Sequence, residues 1–180
     1  GTIFDPACGS GGMFVQSSDF VDRRREELHD DDTKDLMVYG SEKDSETVKL
    51  ARMNLAVNGL RGQVMQANAY YENPYDSYEK FDYVMANPPF NVDEVNYDRI
   101  KDDKRFNEYG IPKNKTKPSS KKEAAVNSVP NANYLWINLF ATSLKPTGRA
   151  ALVMANSASD ARNSEADIRQ QLIKSNVIDC

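Results

Sequence analysis

The 180-residue chain contains one histidine, His29, one tryptophan, Trp136, and two cysteines, Cys8 and Cys180, near its two ends. Thiols that far apart supply no disulfide framework, and with one imidazole they make no convincing zinc set, so metal catalysis is not expected. Long hydrophobic runs are also lacking. No apolar stretch approaches the roughly 20 residues that a membrane helix needs, which excludes a helical span. The opening "GTIFDPACGSGG" has no basic segment followed by a long apolar one, so no secretory signal is read and the cytoplasm is the expected location. Positive charge is in overall deficit: 23 Lys and Arg against 27 Asp and Glu, a net −4. That argues against a protein that wraps itself in nucleic acid. The basic residues are nevertheless gathered in one place, since residues 99–122 hold nine Lys or Arg against three Asp or Glu. A mobile basic loop at about 91–130 is expected, with Lys113, Lys115 and Lys117 as candidate phosphate contacts. A solvated loop with no ligand accounts for the same charges.

The remaining 39% hydrophobic content suffices for one core, and a single domain over 1–180 is expected. "TIFDPA" (2–7) reads as a buried strand, followed by a glycine turn and a helix from "GGMFV" onward. "DLMVYGSE" (35–42) is a second strand, and a helix capped by Asp44 or Ser45 follows, with Leu50, Met53, Leu55 and Val57 on its apolar side and Gly59 at its stop. Strands are read at 63–69, 81–86 and 148–156, and helices at 132–145 and 164–175; the terminal "NVIDC" resembles a strand beginning. This alternation specifies a doubly wound, mostly parallel α/β sheet. Starting and stopping on strands, it reads as truncated at both ends.

Ligands of such sheets bind at the carboxyl ends of the strands. The residues leaving the first four are Asp5 to Gly12, Glu42, Asn68 and Asn87 to Phe90. Gly9, Gly11 and Gly12 let backbone turn tightly against a ligand at a helix N-terminus. A dinucleotide fingerprint would need a further glycine where Phe14 stands, which weakens a nicotinamide reading. Glu42 can accept both hydroxyls of a ribose, or simply be an acidic residue near a helix start. Asp5 would repel a pyrophosphate and favour an ammonium group. S-adenosylmethionine fits these demands, with Asp5, Ala7, Gly9, Gly11, Gly12, Glu42, Asn68 and Asn87 as the candidate cofactor residues.

Asn87-Pro88-Pro89-Phe90 suggests the chemistry. The exocyclic amine of adenine is a poor nucleophile because its lone pair is delocalised into the ring. The Asn87 side-chain oxygen and the Pro88 carbonyl can each accept one of its N–H groups and draw the nitrogen toward tetrahedral geometry. Two prolines stiffen that carbonyl and remove competing donors. Phe90 can stack on a base taken out of a duplex. A stiff strand-ending turn is the structural alternative.

"FDPACGSGGMF" with "NPPF" resembles the amino-methyltransferases acting on adenine N6 in DNA. More narrowly, "YGSEKDSETVKLARMNLAVNG", "NANYLWINLFATSLKPTGRAALVMANSASD" and "EADIRQQLIKSNVID" resemble the methylation subunit of type I restriction-modification systems. The resemblance covers nearly the whole chain. It implies a Rossmann-like catalytic domain that binds S-adenosylmethionine, flips an adenine of double-stranded DNA, and works with separate specificity and restriction subunits. Position 68 is Asn where that family usually has an acidic residue, and the family's aromatic segment before the first strand is not in this sequence. Methylation of another planar amine, in protein glutamine or an RNA base, also explains the tetrapeptide. A nicotinamide-dependent oxidoreductase explains only the glycine turn and Glu42, and a silent scaffold subunit explains none of the site.

Overall fold

The computed structural model describes residues 1–28, 36–113, 127–160 and 163–178. His29, the acidic stretch 30–33, Lys115, Lys117 and Cys180 lie outside the described residues. The chain divides into two compact units, Gly1–Pro88 with Leu144–Val153, and Pro89–Ser143 with Met154–Cys180.

The first unit is a five-stranded sheet in the order β3-β2-β1-β4-β5, with every neighbouring pair parallel. Its strands are β1 (Thr2–Asp5), β2 (Met37–Glu42), β3 (Arg61–Gln66), β4 (Phe81–Ala86) and β5 (Leu144–Leu152). Helix α1 (Gly12–Leu28) joins β1 to β2, and α2 (Ser45–Val57) joins β2 to β3. Alternation along β1 and β2 sends side chains to both faces. Ile3 and Val38 join Phe14, Val48, Ala51, Leu55 and Val64 in one buried cluster. Phe4 and Tyr39 meet Phe81 and Tyr75 instead, Phe4 stacking on Phe81 at 4.5 Å. No helix lies between β3 and β4. The connection sends in the Tyr75 ring, whose hydroxyl meets the carbonyls of Gly40 and Gln63.

Four sequence expectations are corrected in this unit and the next. Of the residues assigned to the apolar side of α2 only Leu55 is buried; Leu50, Met53 and Val57 are 53%, 61% and 83% exposed. The buried stripe is Val48, Ala51 and Leu55, because these three pack into one cluster with Ile3, Val38 and Val64 of the sheet. Asp44 is the cap, accepting the Thr47 N–H at 2.8 Å, and these hydrogen bonds hold its carboxyl below the ordinary range. The last strand starts at Leu144 rather than 148 and ends at Leu152 rather than 156. Leu144 pairs with Phe81, the register then slips, and Arg149 pairs with Tyr83. Lys145, inside the slip, reaches Asp82 at 2.7 Å, while Asp82 also accepts the Thr2 N–H and hydroxyl, each at 2.8 Å. Those partners, Lys145 first, hold the Asp82 carboxyl at about 2.

The second unit contains α3 (Tyr97–Ile100), α4 (Lys104–Asn107), α5 (Asn133–Ser143) and α6 (Ser164–Lys174). The two short helices fall in the segment read as a loop. Asn96 and Asp103 cap them through their side chains, a signal that charge counting obscures. Helix α5 is buried on nearly every side, Trp136 included. Asn138 donates to the carbonyls of Phe106 and Gly110, tying α5 to the α4 segment. Residues 176–178 do not begin a strand. Asn176 is left-handed at φ +54°, its N–H bonds to the Ile173 carbonyl and that of Val177 to Leu172, a Schellman ending of α6. Among the described residues no helix is long and apolar enough to cross a membrane.

Candidate active site

The strand order reverses between β1 and β4, since the chain builds outward from β1 through β2 to β3 on one side and from β4 to β5 on the other. A crevice opens at the carboxyl ends of the two strands flanking such a switch. Ile3 and Phe4 lie opposite Tyr83 and Val84. Asp5 and the glycine turn therefore leave β1 beside the point where Asn87 and Pro88 leave β4.

The turn is held from three directions. The Cys8 N–H donates to the Ser41 carbonyl at 3.0 Å and the Gly11 N–H to the Cys8 carbonyl at 2.8 Å, while Asn54 of α2 donates to the Ser10 carbonyl at 2.8 Å. Gly9 and Gly11 sit at φ +52° and +82°, where a side chain is strained. Gly40 answers from β2. A Cβ there would come within 2.7 Å of the Cys8 sulfur and 3.0 Å of the Phe14 ring. Gly40→Ala is expected to lower unfolding stability by about 1–3 kcal/mol through overpacking, with partial recovery in a Cys8→Ala background, as read by urea denaturation. Cys8 itself is buried, and burial, with Asp5 and Glu42 nearby, pushes its thiol well up, as suits packing rather than nucleophilic attack.

Asp5 is only 1% exposed and accepts the Ala7 N–H at 2.9 Å. Burial, opposed by that hydrogen bond and reinforced by the Glu42 charge, pushes its carboxyl up to about 7. Glu42, half-buried at the end of β2, accepts the Gly9 N–H at 3.2 Å and the Asp44 N–H at 2.8 Å. A carboxylate has about four acceptor positions, so room remains for a diol. The Ala67 N–H donates to the Glu42 carbonyl at 2.9 Å, bringing Asn68 next to it. The Asn68 side-chain oxygen accepts the Tyr70 N–H at 3.1 Å, and the Asn68 N–H donates to Glu72 at 2.7 Å. Sequence reasoning does not single out Glu72, for which the spacing of four from Asn68 across a turn is the available signal.

Asp5, Ala7, Gly9, Gly11, Gly12, Glu42 and Asn68 all lie on the first unit, at or just after the carboxyl ends of β1, β2 and β3, and Asn87 is exposed with Pro88 buried just past the end of β4. Pro89 and Phe90 begin the second unit, where Phe90 stays 39% exposed. Lys113, also in the second unit, is exposed, with its ammonium 5.8 Å from the centre of the Tyr97 ring.

The chain is similar to known proteins over its whole length. The family model for N-6 DNA Methylase matches residues 1–180. A type I restriction enzyme MjaIX methylase subunit of Methanocaldococcus jannaschii is 36% identical over 178 residues, covering 99% of this chain and 29% of the relative. The type I restriction enzyme HindI methylase subunit of Haemophilus influenzae is 34% identical over 182 residues, covering all of this chain and 36% of the relative. The chain thus spans about a third of the length of these relatives. Among solved structures, the methyltransferase subunit of a type I restriction-modification system from Streptococcus thermophilus superimposes with a TM-score of 0.76 at 23% identity, over 99% of this chain and 34% of that one. The doubly wound methyltransferase fold expected from the sequence is the fold observed.

Proposed function

Because this chain belongs to the N-6 DNA methylase family, we propose that it is the catalytic core of an enzyme that moves a methyl group from S-adenosylmethionine to N6 of adenine in double-stranded DNA. Both compact units belong to one catalytic domain in this proposal. The whole protein is the modification subunit of a type I restriction-modification system, partnered by specificity and restriction subunits. The observation that carries the proposal is the pairing of β1 with β4 at the strand-order reversal, which sets the exit of Asn87-Pro88 beside that of Asp5 and the glycine turn.

The residues present fit the cofactor. Left-handed Gly9 and Gly11 keep side chains off the turn, Glu42 has acceptor positions left for the ribose hydroxyls, and Asp5 gains from a cation above it. When bound, S-adenosylmethionine supplies an activated methyl group. Asn68 is the residue that would meet the adenine ring, with its carbonyl oxygen already accepting the Tyr70 N–H. Asn87 and the Pro88 carbonyl each accept one hydrogen of the target amine and aim its lone pair; Pro88 is buried and Pro89 offers no N–H. Phe90, an aromatic ring left substantially in water, is available to stack on the extruded base. No strong base is needed, because the amine can lose its proton after attack.

A labelled methyl-transfer assay on DNA, RNA and a protein-glutamine substrate, using the complete subunit with its specificity partner, discriminates the readings. Transfer to DNA alone is expected, and transfer confined to RNA or protein would overturn the proposal. Phosphate binding by the basic segment is part of the same proposal. Replacing Lys113, Lys115 and Lys117 with glutamine should weaken DNA binding and reduce the log–log salt slope by about 0.9 for each phosphate left without its lysine. An unchanged slope would return these lysines to solvent.

A further inference from the structure

We propose that Asn133, acting through Asn91, is a positioning residue that fixes the direction of the Phe90 ring; the inference rests on the reading of Phe90 as the stacking ring. Asn91 follows Phe90 directly and sits at φ +55°, a left-handed conformation that asparagine tolerates better than most residues. Its N–H donates to the Asn133 side-chain oxygen at 2.9 Å. Its own side-chain oxygen accepts from the Asn133 amide at 3.1 Å, the Asn131 amide at 3.2 Å and the Ser157 hydroxyl at 3.3 Å. Both ends of the Asn133 amide are therefore engaged by one residue. Asn133 is 2% exposed at the first position of α5, and its N–H is taken by the Asn131 side chain at 2.8 Å. A helix start buried in this way is a rigid mount.

The pairing does not end there. The Ala132 N–H donates to the Val92 carbonyl and the Val129 N–H to that of Val95, each at 2.8 Å; Asn96 bridges Ser128, and the Tyr97 N–H reaches the Asn127 carbonyl at 2.7 Å. One antiparallel register holds throughout, with 91 opposite 133, 92 opposite 132, 95 opposite 129, 96 opposite 128 and 97 opposite 127. The segment after Phe90 is laced over seven residues to the segment entering α5. An aromatic ring left in water gains by collapsing onto nearby apolar surface. Asn91 and its lace fix the backbone against that collapse and keep the ring presented, so that stacking needs no reorganisation when a base arrives.

The test uses the complete subunit with its specificity partner and DNA carrying 2-aminopurine at the target adenine. Base extrusion raises the emission of 2-aminopurine, and stacking on an aromatic ring lowers it again. Asn133→Ala should reduce kcat roughly 10- to 100-fold, the loss that a misplacement of about 1 Å brings. Emission in the complex should rise above wild type, with cofactor affinity unchanged. Asn91→Gly, on the surface and free to keep φ positive, should do the same without loss of fold. Asn91→Asp keeps the acceptor that all three neighbours use and should stay close to wild type in kcat. Wild-type kcat and emission in both Asn133→Ala and Asn91→Gly, or an Asn91→Asp as impaired as Asn91→Gly, would overturn the inference. Phe90→Ala separates this failure from failure of the underlying reading. Were Phe90→Ala itself to keep full activity, the stacking role would fall and the inference with it.

Discussion

Replacing Asp5 with asparagine should make the protein more stable at pH 8 while weakening its hold on S-adenosylmethionine. The carboxyl stands at about 7 in the folded chain, above its ordinary 3.8, mainly because it is buried and also because Glu42 faces it. A carboxyl raised in this way favours the folded state fully below the unfolded value, and that advantage drains away as pH climbs from about 4 through 7. By pH 8 the folded chain carries a buried, ionised group at a cost of up to about 4 kcal/mol. Asparagine retains an acceptor for the Ala7 N–H and carries no charge. The variant should gain stability at pH 8 and lose most of the gain at pH 4, as thermal melts at the two pH values would reveal. Cofactor affinity should move the other way. Loss of a charge-assisted hydrogen bond worth about 1.5–3 kcal/mol weakens binding roughly 10- to 100-fold. In the wild type, affinity should fall as pH drops below 7 and the carboxyl protonates; in the variant the dependence should flatten. Calorimetric titration across that range checks both statements.

Asn87→Ala should reduce kcat for methyl transfer by about 100- to 1000-fold, comparable to losing one preorganised partner in other sites that stabilise developing charge. The side chain is exposed at the end of β4, so removing it opens no cavity and should leave the melting temperature close to wild type. DNA binding should be retained, because lost acceptance of one N–H hydrogen is felt mainly as the amine becomes tetrahedral. Single-turnover kinetics separate that effect from binding. A large rise in KM with kcat intact would move Asn87 from the reacting amine to cofactor binding.

Much of the fold is legible in the sequence alone. Strand-turn-helix at 2–28, the Asp44 cap and "FDYVMA" as β4 are local features, written in alternation, glycines and capping side chains. The errors arise where tertiary pairing decides. Leu50, Met53 and Val57 share a helical face as regularly as Val48, Ala51 and Leu55 do, and only the sheet distinguishes the two. The early start of β5 depends on Leu144 finding Phe81, more than sixty residues away, and "NVID" reads as strand until Asn176 turns left-handed. At the site, Asp5, Glu42 and the glycine turn can be chosen by charge and position. The raised carboxyl of Asp5, the sharing of Asn68 with Tyr70 and the Asn91–Asn133 pair cannot, because each depends on burial or on a partner brought in by folding.

Everything proposed for Asn87 depends on which atom receives the methyl group. The most direct measurement is mass spectrometry of nucleosides digested from DNA treated with the complete subunit, its specificity partner and S-adenosylmethionine, run beside the Asn87→Ala variant. N6-methyladenine should appear with the wild type and fall to trace levels with the variant. Methylation at cytosine, absence of methylated DNA alongside methylated glutamine, or N6-methyladenine formed equally well without the Asn87 side chain would contradict the account.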